Sequence, residues 1–128
     1  MTQHPKLPFK TPVALTAAIT IEEVMLPQGT PIGGSRFTVP AGETTPVDRH
    51  HSVEMWLIRA GSAELSYEDR KLKIESGDMI YLASNASHSV YNYGSQDLDI
   101  FSIWFLSKPS EPKASVQDDT RTAREFRL

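Results

Sequence analysis

Residues 42–61 read GETTPVDRHHSVEMWLIRAG and combine a turn, several potential metal ligands and a strand-like apolar run. If residues 48–58 form an extended strand, their side chains alternate between two faces. One of these faces ends in the apolar residues Trp56 and Ile58, which predicts that this face points into a core. Two carboxylates and an imidazole on it would be costly to bury without a cation. In chain order, that face carries Asp48, His50, Ser52, Glu54, Trp56 and Ile58.

A further imidazole stands in a later strand-like segment, SHSVYN at residues 87–92. Strand alternation places His88 on the face of Val90, a candidate core residue. Together, His50, Glu54 and His88 would form a set of two histidines and one carboxylate, which leaves coordination positions open and suits non-haem iron(II). Asp48 would add a fourth oxygen ligand, and two carboxylates favour manganese or iron over a soft metal. The predicted metal ligands are therefore Asp48, His50, Glu54 and His88.

Short strand-like segments alternate with turn signals along most of the chain. Turns such as PAG at 40–42 and SGD at 76–78 separate them. Strands with a turn every ~8–12 residues predict an all-β sandwich or barrel. The predicted strands are ITIEEVML (19–26), SRFTV (35–39), VEMWLIRA (53–60), SAELSYE (62–68), KLKIE (71–75), MIYLA (79–83), SHSVYNY (87–93) and LDIFSIWFL (98–106).

Composition divides the chain into three parts. Residues 1–12 contain three prolines and predict an extended N-terminal arm, laid along a sheet edge. Residues 13–107 are predicted to form the barrel. Residues 108–128 are predicted to form a C-terminal tail, either solvated or folded as a short helix with Ser115 as its N-cap.

The overall composition excludes several classes of protein. The 128 residues fit one domain, and a net charge of −3 argues against nucleic-acid binding. No apolar run approaches the ~18 residues that a membrane helix needs. The chain has no cysteine, which excludes disulfides and cysteine-ligated zinc. Its first residues lack the basic-then-apolar order of a secretory signal, so we expect a cytoplasmic location.

Two spaced motifs in this sequence resemble those of the cupin superfamily. The first family motif is Gly, five residues, His-X-His, three or four residues, Glu, six residues and Gly. The second is Gly, five residues, Pro-X-Gly, two residues, His, three residues and Asn. This chain keeps the spacing of both, over a resemblance that spans about residues 34–106. The matching positions are Gly42, Asp48-Arg49-His50, Glu54 and Gly61, then Gly77, Ala83-Ser84-Asn85, His88 and Asn92.

The chain departs from the family pattern at two places. Asp48 replaces the first metal histidine, which changes the charge and the length of that side chain. Ala83 and Asn85 replace the proline and glycine of the second motif, and Asn85 tolerates the left-handed backbone that glycine would supply.

The resemblance implies a double-stranded β-helix, the jelly-roll cupin barrel, with one divalent metal ion. Iron(II) or manganese(II) is expected, with zinc or nickel as alternatives. It also implies a homodimer, formed by pairing of sheet edges or exchange of the N-terminal arm. The expected partner is a small-molecule substrate, with neither nucleic acid nor membrane.

Four functional interpretations follow from the resemblance. We favour a non-haem iron dioxygenase or oxygenase acting on a small polar substrate. The first alternative is a redox-neutral isomerase, lyase, decarboxylase or epimerase, in which the metal is a Lewis acid and an unligated Asp48 moves a proton. The others are a non-catalytic ligand-binding cupin and a metal-free sugar-nucleotide isomerase or epimerase, which the retained ligands disfavour.

Arg36 lies on the strand before the first motif, where alternation separates it from Phe37. An inward Arg36 could pair with a substrate carboxylate or phosphate, and an outward one would be a solvated strand residue. The predicted catalytic residues are Asp48, Glu54 and Arg36.

Overall fold

The computed structural model describes residues 5–106. Within this range the chain forms antiparallel strands and no helix. The predicted strands are confirmed, with boundaries that differ by a few residues, and a two-residue strand at Val13–Ala14 was not anticipated. The strands are β1 (Val13–Ala14), β2 (Thr20–Glu23), β3 (Ile32–Val39), β4 (Glu54–Ala60), β5 (Ser62–Tyr67), β6 (Arg70–Glu75), β7 (Met79–Leu82), β8 (His88–Tyr91) and β9 (Leu98–Phe105).

The strands form two sheets that enclose one core. The larger sheet has the order β1-β2-β3-β9-β4-β7, and the smaller has the order β6-β5-β8. Apolar side chains of both sheets meet in a single buried cluster, which includes Val39 and Ile58 from the larger sheet and Leu65 and Val90 from the smaller. The predicted all-β jelly-roll fold is confirmed.

Strand alternation explains which side chains reach the core. In β9, Leu98, Ile100 and Ser102 are buried, whereas Ile103 is exposed. The serine at a core position is unusual, because an isolated hydroxyl there needs a hydrogen-bond partner. The inner face of β9 therefore carries a polar group at its centre.

The two sequence motifs lie side by side because residues 42–50 run antiparallel to residues 85–92. The Gly42 N–H donates to the Asn92 carbonyl (2.7 Å), and the Thr45 N–H donates to the Val90 carbonyl (2.9 Å). Further along, the Asn85 N–H donates to the carbonyl of His50 (2.7 Å). These bonds bring the first motif to the edge of the smaller sheet.

Backbone conformation at the turns agrees with the motif pattern. Gly61 has a φ of 90°, and a Cβ there would overlap the carbonyl oxygen of Asp97. Asn85 has a φ of 63°, which confirms that it adopts the left-handed conformation in place of the family's glycine.

The N-terminal arm lies along the edge of β2 over the residues that the structure describes. The Met25 N–H donates to the Pro8 carbonyl (2.9 Å), and the Lys10 N–H donates to the Glu23 carbonyl (2.8 Å). The predicted C-terminal tail and its possible helix lie outside the described residues. Residues 5–106 contain no helix that could cross a membrane.

Candidate metal centre

The candidate site lies between the two sheets, where the first motif meets β8. Asp48 and His88 form an isolated antiparallel bridge, with N–H to carbonyl distances of 2.9 Å in both directions. Ligand atoms of Asp48, His50 and His88 all lie within 4.8 Å of one another. Glu54 joins them from the larger sheet, since its Oε1 lies 2.8 Å from His50 Nε2. The structure thus brings together the four predicted metal ligands.

The predicted strand that was to carry the first three of these residues is wrong. The sequence predicted one continuous strand over residues 48–58, but β4 begins at Glu54. Residues 49–53 lie outside any strand, since residues 42–50 pair with the segment around β8 while β4 pairs with β7 and β9. The chain therefore changes sheets between His50 and Glu54, and the ligands meet across the barrel interior.

Both imidazoles are held by backbone carbonyl groups. His50 Nδ1 lies 2.9 Å from the Ser52 carbonyl oxygen, and His88 Nδ1 lies 3.1 Å from that of Ala86. Because a carbonyl oxygen only accepts, each Nδ1 carries the donated proton. Each Nε2 faces the interior, where it lies near Glu54 Oε1 (2.8 Å for His50 and 3.7 Å for His88). Fixing one ring nitrogen with an outer hydrogen bond is typical of metal-binding histidines.

The two oxygens of Glu54 have separate environments. Oε2 accepts from the indole Nε1–H of Trp56 (2.8 Å) and from the hydroxyl of Ser102. Oε1 is left to face the two imidazoles. The side chain of Glu54 is 12% exposed, so the pair of donors fixes its direction within the core.

The electrostatics of the site favour an ionised carboxylate and a neutral imidazole. Burial raises the pKa of Glu54, but the hydrogen bond with His50 and the charges of His88 and His50 outweigh it and lower this pKa from 4.5 to about 2. Burial lowers the pKa of His88 from 6.5, against the opposing effect of Glu54. A neutral His88 has a free lone pair at Nε2, which is the form that binds a metal.

Asp48 occupies the open side of the site. Its side chain is 44% exposed, compared with 10% for His50. Its Oδ1 accepts from the Arg49 backbone N–H (2.8 Å), and Oδ2 lies 3.8 Å from His50 Nε2. Asp48 is therefore placed where a ligand or solvent could enter.

The donor set fits a divalent cation. With Nδ1 of His50 as the donor to Ser52, Nε2 of the same ring faces an ionised Glu54 oxygen at 2.8 Å. Two acceptor atoms at this distance repel unless a proton on Nε2 or a metal cation satisfies both. A cation here would also meet the Nε2 lone pair of His88. Two imidazoles with one or two carboxylates suit iron, manganese or zinc.

Arg36, predicted as a catalytic residue, lies away from this group. Its guanidinium contacts Glu22 (Nε to Oε1, 2.8 Å) and lies 3.7 Å above the ring centroid of Phe9. The neighbouring Phe37 occupies the inward direction instead, because consecutive side chains of β3 point to opposite faces.

Sequence reasoning missed the two residues that hold Glu54. The sequence placed Trp56 on the same face as Glu54, as part of its apolar end, and did not identify the indole N–H as a donor to the carboxylate. Ser102 was included in a strand without a role. The detectable signal was its place between Ile100 and Trp104, where a core-facing polar side chain implies a buried partner.

Comparisons with known proteins agree with the fold, and the matched range includes both motif segments from Gly42 to Asn92. Residues 35–104 match the model of a family described as Cupin domain. An uncharacterized protein of Methanocaldococcus jannaschii is 30% identical over 63 residues, which cover 48% of this chain and 50% of that protein. The match therefore spans half the length of this curated relative.

Solved structures show the same fold. A cupin 2 conserved barrel domain protein from Salinispora arenicola is 23% identical with a TM-score of 0.65, over 82% of this chain and 88% of that one. A predicted oxalate decarboxylase from Thermotoga maritima is 18% identical with a TM-score of 0.64, over 84% of this chain and 99% of that one. At these levels of sequence identity, the similarity shows a shared fold only.

Proposed function

The chain belongs to the cupin domain family, and we propose that it is a metal-dependent enzyme acting on a small polar molecule. His50, Glu54 and His88 would hold one divalent ion, with Asp48 as a fourth ligand or as a group beside the open side. The observation that carries this proposal is the convergence of two Nε2 atoms on Glu54 Oε1, while carbonyl groups hold both Nδ1 atoms.

We propose iron(II) as the working metal and dioxygen as the co-substrate. Two histidines and one carboxylate leave several coordination positions open, which suits non-haem iron(II). When bound, this ion would supply Lewis acidity and reactivity toward dioxygen. Trp56 and Ser102 would hold Glu54 in its ligating direction, and the exposed side of Asp48 would admit the substrate.

A buried hydroxyl supports a polar substrate. Ser35 is 4% exposed, and its Oγ has no hydrogen-bond partner within residues 5–106. Ser35 pairs in register with Ser102, whose hydroxyl contacts Glu54. A substrate oxygen reaching this part of the interior would satisfy the hydroxyl of Ser35, since unpaired buried polar groups are costly.

A redox-neutral reaction is the second candidate, and Asp48 is the observation that favours it. Its side chain is 44% exposed, and its Oδ2 lies 3.8 Å from His50 Nε2, beyond hydrogen-bond distance. A carboxylate beside a metal-bound carbonyl compound could accept a proton from the substrate or return one. Decarboxylation belongs to this class, and the Thermotoga maritima neighbour bears the name of such an enzyme.

Metal loading with oxygen measurement separates these candidates. The purified chain is stripped with a chelator and reloaded anaerobically with iron(II), manganese(II) or zinc(II), and its metal content is measured. Small hydroxy acids, keto acids and diketones are then tested for product formation with and without dioxygen. We expect about one metal ion per chain. We also expect the amount of dioxygen consumed by the iron form to match the amount of product formed.

Asp48→Asn is the diagnostic variant, because amide and carboxylate have similar size while only the carboxylate accepts a proton. We expect it to retain the metal and to turn over more slowly. Turnover by the manganese or zinc form without dioxygen would favour the redox-neutral candidate. Tight substrate binding without turnover by any metal form would overturn the enzyme proposal in favour of a binding module.

A further inference from the structure

Two hydrogen-bonding groups on the inner wall formed by β3 and β9 have no partner within residues 5–106. One is the hydroxyl of Ser35, a residue that is 4% exposed. The other is the indole N–H of the half-buried Trp104, whereas the indole of Trp56 donates to Glu54. Polar groups inside folded proteins are almost always paired, so these two need an explanation.

Strand register places both groups beside the predicted metal ligand Glu54. Ser35 pairs with Ser102, whose hydroxyl contacts Glu54. Trp104 pairs with Gly33 on one side and with Glu54 on the other. Neighbouring strands lie about 4.8 Å apart. The hydroxyl of Ser35 is therefore about one strand spacing beyond the hydroxyl that holds the carboxylate.

Gly33 allows the indole of Trp104 to lie against the backbone of β3. A Cβ at Gly33 would overlap Nε1 and Cε2 of the indole, so any other residue would push the ring off the wall. Gly33 and Ser35 are two residues apart and share the inner face of β3. The indole nitrogen thus lies in the row next to the unpaired hydroxyl.

The chemistry of the two groups defines the ligand atom that fits them. An indole N–H only donates and a serine hydroxyl can donate, so Trp104 and Ser35 together suit an acceptor oxygen. The inner faces of β3 and β9 carry no lysine or arginine, and Arg36 points outward to Glu22 (2.8 Å). A carboxylate at this wall would be buried without a cation of the wall to pair it, which is costly. The fitting acceptor is a neutral carbonyl oxygen.

On the basis of the metal-dependent function proposed above, we propose that Ser35 and Trp104 form a distal subsite that binds a neutral carbonyl oxygen of the substrate. This oxygen is additional to those held at the metal centre and lies a few bonds further along the substrate. The substrate class is therefore a small keto acid or diketone with one more carbonyl group. An alkyl group at the same position would leave the hydroxyl of Ser35 unpaired.

Stability of the ligand-free protein tests whether the hydroxyl of Ser35 has a structural role. Ser35→Ala removes an unpaired buried hydroxyl and should not lower the urea midpoint of unfolding. Ser102→Ala removes a hydroxyl that is paired with Glu54 and should lower this midpoint. Equal losses in the two variants would show that the hydroxyl of Ser35 is satisfied within the protein, which would overturn the distal subsite.

Three 2-oxo acids with the same carbon chain length test the ligand chemistry. The chain of 2-oxopentanoate ends in an alkyl group, 2,4-dioxopentanoate has an additional neutral carbonyl, and 2-oxoglutarate has a second carboxylate. Their affinities for the zinc(II) form are measured by titration calorimetry under argon. We expect 2,4-dioxopentanoate to bind about tenfold more tightly than the other two.

Variants of the distal subsite should remove this preference. Ser35→Ala should weaken binding of 2,4-dioxopentanoate by about three- to tenfold and leave the affinity for 2-oxopentanoate unchanged. Trp104→Phe keeps an aromatic ring on Gly33 and should have the same effect through loss of the N–H. The matched control is Ser66→Ala in the smaller sheet, where Ser66 pairs with Lys71, and it should keep the wild-type preference.

The measurements separate failure of the distal subsite from failure of the proposed function. A wild-type chain that binds no metal would contradict the proposed function and the distal subsite with it. A zinc-loaded chain that binds 2,4-dioxopentanoate no better than 2-oxopentanoate would overturn the distal subsite alone. A preference that persists in Ser35→Ala would overturn it as well.

Discussion

Asp48 and His88 exchange two backbone hydrogen bonds of 2.9 Å, which holds their side chains on neighbouring segments of the candidate metal centre. Backbone pairing, rather than contact between the side chains, sets this proximity. The position of Asp48 is therefore independent of the imidazole opposite it. Removing that imidazole should leave the bridge between the two segments intact.

We expect His88→Ala to lose metal binding while the barrel remains folded. The variant deletes one of the two Nε2 donors, so its affinity should fall by more than the 10- to 100-fold that follows loss of an outer-shell partner. The truncation should cost about 1–3 kcal/mol of unfolding free energy. Metal content by mass spectrometry and unfolding in urea measure the two effects.

His51→Ala is the matched control, because His51 is an exposed histidine next to His50. Its metal content should equal that of the wild-type protein. Unchanged metal binding in His88→Ala would contradict the assignment of His88 as a ligand.

Trp56→Phe should weaken metal binding without removing a ligand. The substitution keeps an aromatic ring but deletes the N–H that donates to Glu54 Oε2 at 2.8 Å. Loss of this bond to a carboxylate should cost about 1.5–3 kcal/mol of stability and reduce metal affinity by about 10- to 100-fold. Competition titration with a chromogenic chelator measures the affinity.

Trp104→Phe provides the comparison, because the ring of Trp104 packs on the backbone of Gly33. It should alter stability but leave metal affinity within about threefold of wild type. Equal affinity losses in both tryptophan variants would argue against a specific role for the Trp56 indole.

Acid should destabilise the metal-free protein through Glu54. Its pKa is about 2 in the folded chain and 4.5 ordinarily. Because the folded value is the lower one, the stabilisation is complete above pH 4.5 and is lost as pH falls from 4.5 toward 2. This shift corresponds to a contribution on the order of 3 kcal/mol. Burial lowers the pKa of His88 as well, so stability should begin to fall below pH 6.5.

Urea unfolding of the chelator-treated protein between neutral pH and about pH 3 measures this dependence. Glu54→Gln cannot ionise and should show a shallower fall in unfolding free energy below pH 4.5. Glu64→Gln, on the outer face of β5, is the control and should follow the wild-type curve. Parallel curves for all three proteins would exclude Glu54 as the source of acid sensitivity.

Asn85→Ala should destabilise the barrel by about 1–2 kcal/mol, because alanine is strained at a φ of 63°. Asn85→Gly should be close to neutral, since glycine adopts this conformation freely. Ser84→Ala tests whether a change in the same turn has the same effect. Unfolding in urea gives the three differences, and an alanine variant as stable as the glycine variant would contradict the strain argument.

Much of the fold could be predicted from local sequence pattern. Alternation along β9 identifies Leu98 and Ile100 as inward, and glycine-containing turns such as Gly77 separate the strands. Alternation also separates Arg36 from Phe37, but it cannot say which of the two faces is inside. A contact with Glu22, fourteen residues away, decides that Arg36 points outward.

The sequence predicted which residues form the candidate site, but not how the strands bring them together. Motif spacing identified His50, Glu54 and His88, because each is fixed relative to a turn. The change of sheet between His50 and Glu54 depends on pairing with distant strands, which alternation within one segment does not encode. The support of Glu54 by Ser102 depends in the same way on the register between β4 and β9.

The bend at residues 51–53 has a consequence for length variation in related chains. Since no strand includes these residues, one additional residue after Ser52 could loop outward while the Ser52 carbonyl still holds His50 and Glu54 keeps its direction. An additional residue between Glu54 and Trp56 would instead reverse the orientation of everything that follows it in β4. The family motif permits three or four residues at the bend, and the geometry of this barrel explains why insertions are tolerated at that point of the motif.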